Sequence, residues 1–195
     1  MTREMLEVAG YLTVAQQIAF FALMTVCVYT DIAKDKVYNW ATFPAIFAGL
    51  ALWYIPYGFG GPFMYALAAA GIGGGVFFVF FLFRCIGGGD VKLMAAVGAL
   101  MGLRFTLNAL LPIALVGAVM AVGAMIWKGR VREGLKRSAK MLIKLRPGKP
   151  ETGAKPLTIP YGAAIAIGGM WTWATLLILD RLPTIANCWG VVRRP

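Results

Sequence analysis

Two acidic residues are the first candidates for chemistry in a chain that is 60% hydrophobic. Asp31 closes one apolar run and Asp90 opens another, 59 positions later. Other catalytic groups fall away by elimination. The chain has no histidine, which removes His-based zinc proteases and a Ser–His pair. Ser138 lies between Arg137 and Lys140 with nothing apolar to enclose it. Cys27, Cys85 and Cys188 form no C-x-x-C pair and lack an imidazole partner, so they read as unpaired thiols with no metal and no cofactor to hold.

Carboxylates remain. Of eight acids, Glu4 and Glu7 precede the first apolar run. Glu133 and Glu151 sit in a basic stretch where ion pairing accounts for them. Asp180 adjoins Arg181 at the end of the last run. Asp31, Asp35 and Asp90 are left. Asp31 stands at a helix C-terminus, where the backbone dipole disfavours negative charge. Asp90 follows Gly87, Gly88 and Gly89 directly. It could cap a helix beginning at Val91. Its glycines would also let the backbone approach an extended peptide closely. Asp31 and Asp35 would share a helix face if the helix continued, and Lys34 and Lys36 favour Asp35 as a surface ion pair. Two carboxyls placed close together share one proton and titrate as a unit. The ionised member can take a proton from water while the protonated one polarises a carbonyl, which is enough to hydrolyse an amide.

These residues need a scaffold at the membrane. Six apolar segments, 12–30, 41–57, 63–83, 91–103, 105–127 and 159–179, predict an all-α polytopic bundle of about six transmembrane helices. The length suits a single membrane domain over 1–195. The N-terminal run has no clean cleavage signal and reads as an uncleaved span. The fourth segment is only about 20 Å long at 1.5 Å per residue. It must start deep, thin the bilayer or be shielded by other helices. The run at 71–75, GIGGG, reads as close helix packing.

The net charge of +11 is localised. Ten of the 19 basic residues lie in 128–155, which favours a cytosolic loop on anionic lipid over nucleic acid. Val131, Leu135, Leu142 and Leu145 make that loop a basic amphipathic helix on the inner leaflet. With the N-terminus outside, fourteen basic residues are cytosolic and five are outside. The positive-inside rule therefore places both termini outside an inner membrane. Asp31 and Asp90 then share the cytosolic side.

Three segments carry a family resemblance. The run Asp31 to Asn39, DIAKDKVYN, looks like an Asp-x5-Ile-Pro-Asn stretch, with Val37 and Tyr38 in place of Ile-Pro. GGGDVKL, from Gly87, is similar to a GxGD motif and its continuation. IPYGAAIA, from Ile159, resembles the Pro-Tyr-Gly segment that opens a last core span. Together they resemble the type IV prepilin peptidases, especially the short, peptidase-only members of tight-adherence (Flp-type) pilus systems. The resemblance implies an aspartic endopeptidase that cleaves leaders of prepilin-like precursors after a Gly at the cytosolic face. It implies Asp31 and Asp90 as the catalytic pair, and motif register favours Asp31 over Asp35. Gly87, Gly89, Lys92, Asn39, Pro160, Tyr161 and Gly162 would bind substrate or support the pair. Long members also carry a Cys-rich domain and methylate the new N-terminus. No cysteine tetrad occurs here, so neither methyl transfer nor zinc is expected. Two other classes compete: a carrier using the carboxylates as membrane-embedded ligands, and a non-catalytic assembly factor docking through 128–155.

Overall fold

The computed structural model describes residues 3–34, 36–83, 86–127 and 161–181. The expected amphipathic helix at 128–155 lies outside them, as do Asp35, Cys85, Pro160 and Cys188. Among the described residues every regular element is a helix: α1 (Arg3–Lys34), α2 (Asn39–Tyr57), α3 (Gly61–Leu82), α4 (Gly88–Trp127) and α5 (Tyr161–Arg181). Helices are the natural choice for apolar sequence in lipid, because each satisfies its own backbone hydrogen bonds.

Among the described residues four stretches are long and apolar enough to cross a membrane: Val14–Lys34, Gly61–Leu82, Gly88–Ala124 and Tyr161–Ile178. This falls short of the six expected. The second expected segment forms α2, a helix of 19 residues with Pro44 and Pro56 inside it, and it is not among the four. The fourth and fifth segments fall within one helical element, α4, which is broken at Gly102 (φ 78°, ψ 179°). Only glycine adopts that backbone without strain.

Contacts on the two sides of Gly102 show the chain doubling back. Before the break, Gly89 touches Val37, Gly49 meets Ala99, and Trp53 Nε1 donates to Leu100 O at 3.3 Å. This arm therefore descends beside α2. After the break, Phe105 meets Phe20 edge-on at 5.4 Å. Ile113 then meets Gly168, and Gly117 meets Tyr161. The second arm thus climbs back toward the start of α5.

The descending arm is the centre of the bundle. Leu93, Met94, Ala96, Val97, Ala99 and Leu100 are all at most 1% exposed. Its short length is thus accommodated by shielding, one of the three expected solutions. Small residues allow the close approach that substitutes for a hydrophobic drive in lipid. A Cβ on Gly98 would run into Ala69 O, and one on Gly73 would stand 3.0 Å from Met94 O. Gly73 and Gly74 make the packing expected of GIGGG, while Cβ atoms at Gly71 and Gly75 would meet nothing within 4 Å.

Candidate active site

Asp31 lies in the last turn of α1, which runs on to Lys34. A carboxyl there faces the negative end of its own helix dipole. The fold compensates with a second helix. α5 begins at Tyr161, and its third residue, Ala163, donates its N–H to Asp31 Oδ2 at 3.3 Å. Helix N-termini offer unpaired N–H groups and positive potential to anions. The approach is close enough to dictate Gly162. A Cβ there would stand 2.8 Å from Asp31 Oδ2 and 3.1 Å from Cγ. Asp31 is 6% exposed.

Asp90 is held locally. The expected helix start at Val91 is corrected to Gly88, which puts Asp90 in the first turn rather than ahead of it. From that position its Oδ2 accepts the Gly87 N–H at 3.1 Å, while its own N–H donates to Gly87 O at 3.2 Å. The carboxylate thus occupies the reach-back position of a capping box. The weak helix formers Gly88 and Gly89 are carried into the helix by this reciprocal pair. Asp90 is 7% exposed.

The remaining contacts tie the two carboxyl-bearing segments together. Gly89 lies against Val37, where a Cβ would come within 2.8 Å of Val37 Cβ. Lys92 Nζ donates to Asn39 Oδ1 at 2.9 Å and stands 5.1 Å over the Phe43 ring. Lys34 Nζ stands 5.5 Å over the Tyr38 ring. Tyr38 precedes α2 with φ −85° and ψ 140°. That is near the φ a proline would fix, so the tyrosine serves at the position where the resembling motif has Pro.

Three helices, α2, α4 and α5, therefore begin around the end of α1. Their N-terminal dipoles oppose the burden of two buried carboxyls. Asp31 and Asp90 lie within electrostatic range of each other. Both also reach Cys27, a fully buried thiol one turn before Asp31. Of the residues singled out by sequence, Asp31, Asp90, Gly87, Gly89, Lys92, Asn39, Tyr161 and Gly162 gather at this one end. Pro160 lies outside the described residues.

Three participants were not foreseen. Cys27 carried a signal, because its spacing of four from Asp31 puts both on one helix face. Ala163 carried none, because it acts through its backbone. Val37 was seen only as a motif substitution. Among the described residues no group of three or more potential ligands could hold a metal ion.

Fold and site together define a helical membrane protein with two buried carboxyls at one end of its bundle. The family model of the type IV leader peptidases matches residues 18–122. That is more than half of the chain, and the chain belongs to this family; it is a membrane peptidase, a hydrolase. Comparison with curated proteins and with solved structures returned no match.

Proposed function

We propose that the protein is an aspartic endopeptidase that removes the leaders of prepilin-like precursors, with Asp31 and Asp90 as its catalytic pair. The observation that carries this reading is that two buried acids from distant segments lie at the same end of the bundle, each accepting a backbone N–H. One proton shared between them leaves one member as base and the other as acid. The base would take a proton from a water while the acid polarises the scissile carbonyl. The acid's proton then passes to the departing amine, which restores the pair.

Burial supports this division of labour, because a dry setting strengthens every charge interaction in it. The glycine loop at 87–89 supports it as well. It offers backbone without side-chain bulk to a substrate that must be extended before its amide can be reached. Localisation follows from charge. The fourteen-to-five distribution of basic residues favours an inner-membrane protein with both termini outside and the pair at the cytosolic face. The basic stretch 128–155 would then rest on anionic lipid.

The test is precursor processing in membranes carrying Asp31→Asn or Asp90→Asn. Either substitution should abolish processing while the protein still accumulates in the membrane. Normal processing by either variant rejects the assignment.

A further inference from the structure

We propose that Gly117, in the ascending arm of α4, is a positioning residue for Asp31. The absence of a side chain at 117 makes the seat for the Tyr161 ring. The seated ring sets the height at which α5 presents the Ala163 N–H to the carboxyl. This rests on the reading of Asp31 as one of the catalytic pair.

The seat is tight. A Cβ on Gly117 would stand 2.7 Å from Tyr161 Cε2, 2.7 Å from its hydroxyl oxygen and 2.8 Å from Cζ. Real Cβ atoms do not approach that closely, so any larger residue must displace the ring. Another side of the ring is closed by Phe77, edge-on with centroids 5.9 Å apart. Tyr161 lies two residues before Ala163 and next to Gly162, whose own missing Cβ admits the Asp31 carboxyl. Displacement of the ring therefore acts on the turn of α5 that serves Asp31.

A second contact sets the same height. Gly168 lies against the backbone of Ile113, with a Cβ placed 2.7 Å from Ile113 Cα. Ile113 precedes Gly117 by one helical turn. The ascending arm thus grips α5 at two levels, and Gly117 is the level nearest the site. Gly123, in the same arm, gives the contrast, since a Cβ there would meet nothing within 4 Å. Flexibility or composition of the arm would treat these glycines alike, whereas a seat for Tyr161 requires only the first.

The experiment uses purified full-length protein in detergent and a tight-adherence-type prepilin cleaved by the unmodified protein. It measures kcat, KM and the pH profile of kcat per folded molecule. Gly117→Ala should lower kcat about tenfold or more, as small misplacements of reacting groups do. KM should change little and the pH profile should be displaced, because one member of the pair has lost its donor geometry. Gly123→Ala should match the wild type in all three. If Gly117→Ala does not fold, Tyr161→Leu, which empties the seat without overpacking it, should displace the pH profile and lower kcat. A folded Gly117→Ala or Tyr161→Leu with wild-type kcat and pH profile overturns the proposal. So does a loss confined to the yield of folded protein. Asp31→Asn in the same assay separates the two claims: if it cleaves normally, the catalytic reading itself fails; if it is inactive while Gly117→Ala is normal, only the positioning role fails.

Discussion

Asp90 receives its N–H from Gly87, three residues back in the same loop, whereas Asp31 receives one from Ala163, 132 residues further along the chain. The first arrangement needs only a helix start. The second exists only after α5 has packed against the end of α1. The same pair of acids thus combines a local device with a tertiary one. Substitutions around Asp31 should therefore report on bundle assembly, while those around Asp90 should report on a single turn.

The largest difference is expected at the glycines that face each carboxyl. Gly162→Ala puts a Cβ 2.8 Å from Asp31 Oδ2 and 3.1 Å from Cγ, so the carboxyl must turn away from its donor. Cleavage by folded protein should fall about a hundredfold, the scale of an ångström-sized displacement at a reacting group. Gly87→Ala puts a Cβ 3.3 Å from Asp90 Oδ2, which a loop can absorb. A loss of only about threefold is expected there, well under one such displacement. Equal losses at the two positions would erase the distinction between a local and a tertiary hold.

A smaller effect should follow where the two segments touch. Gly89→Ala brings a Cβ within 2.8 Å of Val37 Cβ and 3.2 Å of Val37 O. Overpacking of this kind costs about 1–3 kcal/mol, read as a lower midpoint of thermal unfolding in detergent. Val37→Ala in the same chain should recover part of that midpoint. The smallest effect is expected at the rim. The bond from Lys92 to Asn39 is exposed, and removing it with Asn39→Ala should cost about 1 kcal/mol or less. A cleavage loss beyond about tenfold would give Lys92 a larger part than bridging two helix starts.

Much of this site was legible in the chain because so few groups could compete for it. Without histidine, and with five of the eight acids accounted for by position, elimination left Asp31, Asp35 and Asp90, and motif register favoured Asp31 over Asp35. The length of the short central segment left three options open, and the burial of Leu93, Met94, Val97 and Leu100 selects shielding. Arg104 marked a boundary near the reversal at Gly102, although the positive φ itself left no trace beyond the glycine. The start of α4 was misplaced because Gly88 and Gly89 are poor helix formers, and the Asp90 carboxylate that carries them into the helix acts through space. The hold on Asp31 was not legible. Its donor is a backbone N–H, and Ala163 looks like any other alanine in an apolar run. Gly117 was equally silent, since only the Tyr161 ring distinguishes it from Gly123.

The central claim is that Asp31 and Asp90 work as one unit around one proton. The most direct measurement compares kcat for purified Asp31→Asn, Asp90→Asn and the double variant on one precursor. Members of a single catalytic unit are not additive, and each single loss should match the double, at about ten-thousandfold or more. Substantial cleavage by either single variant, or a double loss equal to the product of two partial ones, would contradict the account.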